Sequence, residues 1–252
     1  MTKNTEKKSP AEEYFHSQLS RRTQNRVKFK KDESAQTLHF VHEVLVSMIA
    51  KMLKRIGGKR WPDDLDKEVA IKCTKVANLQ QLFMHGVELC EVTILEGLYG
   101  QAAALMRQQM EIIAAIKAVW DGTDGKQKNK KTKGKKRGKP RTPNINLLPA
   151  HIKQHYGALS ELTHAAVPEQ LHFLFNVTND DVGAASTLPV YKQNLARVLL
   201  VLEINLLFEL IGSFEVALNE MYGKGFDDEE LKLQKVAFSA LQECLAAIYP
   251  ND

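Results

Sequence analysis

Cysteine is scarce in this chain: Cys73, Cys90 and Cys244 stand far apart, and no Cys-x-x-Cys pair occurs. That spacing argues against a disulfide framework or a thiolate zinc site and predicts reduced, buried or half-buried thiols in a cytoplasmic protein. Proline and glycine are sparse, at 8 and 14 of 252 residues. No two apolar runs are joined by a hairpin turn, so a sheet has no sequence support. Long apolar runs are missing too. The most apolar stretch, 198–212, is interrupted by Glu203, Asn205 and Glu209, which falls short of the roughly 18 apolar residues that suggest a membrane span. The opening segment MTKNTEKKSPAEEY has no apolar centre, and no secretory signal is expected from it. Gly-x-Gly-x-x-Gly, His-Glu-x-x-His and Gly-x-Ser-x-Gly are all absent, and Leu53 stands where a P-loop ending at Gly58–Lys59 needs its first glycine. Nucleotide-binding, zincin and hydrolase-elbow chemistry therefore lack a motif, and no cofactor is expected.

What is abundant favours helix: Ala, Leu, Glu, Lys, Gln and Met, in a chain that is 44% hydrophobic. The net charge of +5 is unevenly placed. Residues 126–141, KQKNKKTKGKKRGKPR, carry ten cations and no acid; the remainder holds 25 bases and 30 acids, a net −5. The basicity belongs to one segment, and the folded part is mildly acidic.

Helical spacing organises the rest. A polar N-terminal part, 1–33, contains a short helix from Pro10 to about Arg22. Leu38, Val41, Leu45, Met48 and Met52 recur at spacings of 3 and 4 and predict a helix from Ser34 to Gly57. Pro62, Asp63 and Asp64 suit the start of a long third helix through Val69, Cys73, Val76, Leu79, Phe83 and Val87. Gly97 and Gly100 mark a break before a fourth helix ending near Trp120. Residues 122–148 read as a disordered basic insertion. Pro149 opens a helix through His164, with a short turn after Pro168 and a loop over 179–186. Thr187 and Pro189 open a long apolar helix to Met221, and Asp227–Glu230 open a last one to about Tyr249. The expected architecture is an all-α bundle of about six helices, formed by 34–121 and 149–252 together.

Two helix faces carry candidate chemistry. On the fourth helix, Gly100, Ala104, Arg107, Glu111, Ala114 or Ala115, and Ala118 share a face. Small side chains there allow close helix approach around one Arg/Glu pair, although such a pair is often a weak ion pair on a solvated face. On the helix after the insertion, Tyr156, Ser160 and His164 stand at i, i+4 and i+8, presenting a phenol, a hydroxyl and an imidazole able to exchange protons near neutral pH. A hydrogen-bonded, inert helix-end histidine fits that pattern equally.

The segments LYGQAAALMRQQMEIIAAIKAVW and HYGALSELTHAAVPEQ together resemble a family of uncharacterised bacterial all-α proteins with an Arg-x-x-x-Glu helix, a Tyr-x-x-x-Ser-x-x-x-His helix and a long apolar helix. The resemblance spans roughly residues 65–220. Such proteins are distantly similar to the HEPN superfamily, many of whose members are metal-independent ribonucleases of toxin–antitoxin and antiphage defence systems, and many of which are dimers. The resemblance implies that Arg107, Glu111, Tyr156, Ser160 and His164 form a catalytic site at an RNA phosphate. Arginine would neutralise phosphate charge, Glu111 orient it and histidine move a proton. The usual HEPN signature places a His four to six residues beyond an Arg on one helix. None of the nine arginines here has that neighbour, so a non-catalytic homo-oligomeric scaffold stands as the second expectation. There Arg107, Glu111 and His164 fix helix register, and residues 190–221 form part of a dimer interface.

The basic segment is the clearest binding feature. Lys130, Lys131, Lys133, Lys135, Lys136, Arg137, Lys139 and Arg141 are expected to bind RNA or DNA through counterion release. Without an aromatic residue the segment offers no base stacking, so binding is sequence-indifferent and salt-dependent. A solubilising loop or a localisation signal has the same composition. Glu-x-x-His occurs at Glu13/His16 and at Glu161/His164, with Glu88, Glu91 and Glu203 as further acids, a weak ferritin-like pattern. His39 and His42 form a lone cluster on the second helix.

Overall fold

The computed structural model describes residues 9–57, 61–124, 143–164 and 189–249. It is all-α, and no strand occurs among the described residues. The described residues form seven α-helices: α1 (Pro10–Lys30), α2 (Glu33–Gly57), α3 (Lys67–Leu95), α4 (Tyr99–Trp120), α5 (Ala150–His164), α6 (Gln193–Tyr222) and α7 (Asp228–Ile248), with a 3₁₀ turn at Ile145–Leu147.

The apolar pattern of α6 explains its central position. Leu199, Leu200, Ile204, Leu207, Leu210, Ile211, Phe214 and Leu218 form one broad buried face, while Val198 and Val216 stay exposed on another side. An apolar face that broad needs several neighbours, and α2, α3, α4 and α5 supply them. α7 packs mainly on α2. α6 thus buries its broad apolar face in the core of its own bundle and leaves Val198 and Val216 exposed. No helix among the described residues is long and apolar enough to cross a membrane.

Helix ends follow local chemistry. Ser9 and Glu12 form a capping box on α1, and Asp227 and Glu230 form one on α7. Asp66, not Pro62, starts α3: its carboxylate accepts from the backbone N–H of Glu68 and Val69. α1 runs on to Lys30, past the expected end near Arg22, because Asn25 and Phe29 are anchored in the bundle. α6 starts only at Gln193. The expected insertion 122–148 is ordered at both margins: Lys75 pairs with Asp124 at 2.7 Å, and Leu148 is buried in the core. The expected turn at Pro168 and loop at 179–186 lie outside the described residues.

One knot joins distant parts of the chain. Gly97, at φ 76°, turns α3 into α4; a Cβ there would meet the Val190 carbonyl oxygen at 2.8 Å and Asn25 Nδ2 at 2.9 Å. Only glycine fits both the left-handed backbone and the close approach. Buried Asn25 donates to the carbonyls of Glu96 (2.8 Å) and Pro189 (3.1 Å) and accepts from Tyr191 N–H (3.0 Å). Beside it, Arg22 and Arg26 both pair with Glu96.

Candidate functional site

α4 and α5 run side by side, and Ile152 and Leu159 of α5 are buried in the main core. That packing brings Tyr156 over the Arg107 and Glu111 face of α4. The Tyr156 hydroxyl donates to Glu111 Oε1 at 2.7 Å. Arg107 Nε donates to Glu111 Oε1 at 3.3 Å and to the Tyr156 oxygen at 3.4 Å. The guanidinium carbon lies 5.6 Å from the Tyr156 ring centroid, within cation–π range. A further Arg107 N–H donates to Thr163 Oγ1 at 3.4 Å, and that hydroxyl donates to the Ser160 carbonyl at 2.8 Å.

The structure therefore brings Arg107, Glu111 and Tyr156 together, and Ser160 joins through its backbone carbonyl. Thr163 is an addition that the i+4 pattern missed, because it stands between the motif positions. His164 ends α5, and its side chain lies outside the described residues, as do Lys130, Lys131, Lys133, Lys135, Lys136, Arg137, Lys139 and Arg141. Of the run of small residues, Ala104 is exposed, Ala114 is buried, and Gly100, Ala115 and Ala118 are half-buried. The Arg107 and Glu111 side chains each keep 27% exposure, so the cluster is a half-open seam rather than a sealed ion pair. Hydrogen bonding to Tyr156, with the Glu111 charge nearby, raises the Arg107 pKa further above its already high value. Burial, with the bond to Glu111, raises that of Tyr156. The site offers a fixed guanidinium and, with both pKa values raised, a phenol that keeps its proton.

A second polar cluster sits deeper, where α2, α3, α4 and α6 meet. His42 is buried and its Nδ1 lies 3.1 Å from Glu91 Oε1; His39 Nδ1 lies 2.6 Å from the same oxygen. Fully buried Glu203 accepts from Gln109 Nε2 at 2.8 Å. Glu203 Oε2, His42 Nε2 and Gln109 Oε1 have no hydrogen-bond partner among the described residues. Burial pushes the Glu203 pKa up to about 7. Burial opposes charge on His42, but the bond to Glu91 and the charges of Glu91, Glu203 and Glu43 outweigh it and raise the His42 pKa. Glu91 shifts the other way: burial is overcome by its histidine partners and its pKa falls. Sequence reasoning noted His39, His42, Glu91 and Glu203 without joining them, because residues on three helices share no local spacing. Among the described residues no group of three or more His, Cys, Asp or Glu side chains is placed to hold a metal ion.

No family model matches this chain, and none of the curated proteins or solved structures compared with it matches either.

Proposed function

We propose that this is a HEPN-like helical protein that engages RNA or DNA, with Arg107 as its phosphate contact and the basic segment 126–141 as its sequence-indifferent anchor. The observation that carries the reading is the posture of Arg107. Glu111, Tyr156 and Thr163 hold a half-exposed guanidinium in place, and a guanidinium fixed in advance loses less freedom when it meets a phosphate. Chain connectivity supports it. Glu111 and the C-terminus of α4 at Trp120 are nine residues apart, about 14 Å at helical rise. The ten cations follow along the chain from Lys126, six residues beyond Trp120. In the catalytic form of this proposal, which belongs to a bacterial defence or toxin setting, Arg107 neutralises the phosphate and His164 moves the proton.

A labelled mixed RNA pool incubated in EDTA with wild type and with His164→Ala tests that form. Cleavage by wild type that vanishes in the variant supports a metal-independent ribonuclease. Intact RNA in both removes the catalytic step and leaves binding to be measured.

A second reading has its own support. All the contacts described for Arg107 are to side chains of its own bundle, which suits a latch that sets the register of α5 on α4 in a non-catalytic homo-oligomeric scaffold. Loss of the α5 packing in Arg107→Ala, with unchanged affinity for RNA, favours this reading over the first.

A further inference from the structure

α1 is a helix of two halves. Its C-terminal half is tied down by Asn25, Phe29 and the Arg22 and Arg26 pairs with Glu96. Over 9–20 no residue is buried, and only Gln18 is even partly covered. An isolated helix of that length is marginal in water, because its hydrogen bonds scarcely offset the ordering of its backbone. It also holds apolar side chains in solvent: Phe15 is 64% exposed, Leu19 57% and Val27 49%. With exposed Thr23 they recur at every fourth residue, forming one ridge down the outer side of α1. The same helix is polarised in charge. Glu12 and Glu13 occupy the first turn, and Arg21, Arg22, Arg26, Lys28 and Lys30 occupy the second half.

This pattern is complementary to itself when reversed. With a two-fold axis passing near Arg21, Phe15 meets Val27 of the partner subunit, Leu19 meets Thr23 of the partner subunit, and Glu12 approaches Lys30 of the partner subunit. Each acidic end then faces a basic end, and each ridge closes on its own copy, as an isologous interface requires. A parallel arrangement would set acids on acids and bases on bases. We propose that the exposed ridge of α1 is the surface through which two copies of this chain associate, as an antiparallel α1–α1 pair. The contact is one helix wide, below the usual area of a stable interface, so the dimer is weak, with a Kd on the order of 10 μM. This inference is independent of the proposed function and holds whether or not the chain engages RNA.

Sedimentation of the full chain from about 1 to 200 μM brackets that affinity. Wild type is expected to pass from monomer to dimer over this range. Phe15→Asp and Leu19→Asp, both at exposed positions, are expected to raise Kd more than tenfold while leaving the helical signal and the melting temperature of dilute protein unchanged. Lys30→Glu is expected to weaken the dimer, and Glu12→Lys combined with Lys30→Glu to restore part of it. Three outcomes overturn the proposal. A monomer across the whole range does so. So does a dimer that both aspartate variants leave intact. A fall in the melting temperature of dilute Phe15→Asp does so as well, because it would mean that the ridge is covered within the monomer.

Discussion

Replacing Glu203 by glutamine removes a carboxyl group that the fold holds without access to water and with one oxygen unpartnered. Its pKa is about 7 in the folded state against an ordinary 4.5. The folded state therefore binds the proton more tightly than the unfolded state. Stability from this group is fully present below pH 4.5 and declines as pH rises through about 7. His42, whose pKa is also raised, adds to the decline above its ordinary 6.5. Glu91 acts oppositely, losing its contribution as pH falls below its ordinary 4.5. Gln109 on α4, Cys90 and Glu91 on α3 and His42 on α2 are the polar and titratable groups around Glu203. Urea unfolding of wild type should show stability falling between pH 5 and 8 by a few kcal/mol, and Glu203→Gln should flatten that slope and be the more stable at pH 8. An equal slope in both proteins would mean that the carboxyl is not the source. Asp32 shows the reverse case. Burial opposes its charge, yet Arg197, which reaches it at 2.6 Å, the Ala35 N–H and the Tyr191 hydroxyl pull its pKa down. Arg197→Met leaves that carboxylate buried without its cation, and a loss of about 3 kcal/mol is expected in the same unfolding experiment. The pairs Gln109–Glu203, Tyr191–Asp32 and Arg197–Asp32 were not legible in the sequence, because each spans 94 residues of chain or more and no local pattern encodes it.

At the scale of the element, what the sequence displays well is periodicity. The stripe of Leu38, Val41, Leu45, Met48 and Met52 is buried as its spacing predicts, and the acids before α7 act as its cap. Helix ends that depend on tertiary anchors were not visible, as with α1 beyond Arg22. The α4–α5 seam was half legible. Spacing alone put Arg107 beside Glu111 and lined up Tyr156 with Ser160, but the link between the two helices, and Thr163, needed the packing of Ile152 and Leu159. Because Arg107 is 27% exposed, its removal should cost about 1 kcal/mol, less than the few kcal/mol of a sealed charge pair. Thermal unfolding of Arg107→Ala checks this: a modest fall in Tm fits a half-open cluster, and a collapse of the helical signal does not. Gly97 is the stricter position. Gly97→Ala meets both a positive φ and a backbone oxygen at 2.8 Å, and a loss of more than 2 kcal/mol is expected in urea unfolding.

On the scale of the whole molecule, the chain separates its charges. A bundle of net negative charge carries one strongly positive segment between α4 and α5, the two helices that share the Arg107 cluster. If the chain engages a polyanion, the cations of 126–141 are its expected point of attraction, against a remainder of net −5. If Arg107 and the segment act on one strand, affinity has two parts. The segment supplies the salt-dependent part, and Arg107 adds a contact at a fixed position. The charge separation was legible in composition; the hold of Tyr156 and Thr163 on Arg107 was not, because a lone Arg-x-x-x-Glu is too common to single out.

The most direct test of the RNA-engaging account is the anisotropy of a labelled single-stranded RNA titrated with three proteins over a range of salt concentrations. These are wild type, Arg107→Ala, and a variant with serine at Lys130, Lys131, Lys133, Lys135, Lys136, Arg137, Lys139 and Arg141. The account predicts that wild type binds with a steep salt dependence and that the serine variant loses several phosphate contacts' worth of slope, at about 0.7 per contact. It further predicts that Arg107→Ala weakens binding about fivefold or more with a slope change of about one contact. Binding by wild type that neither variant alters, or no binding at low salt, would contradict it.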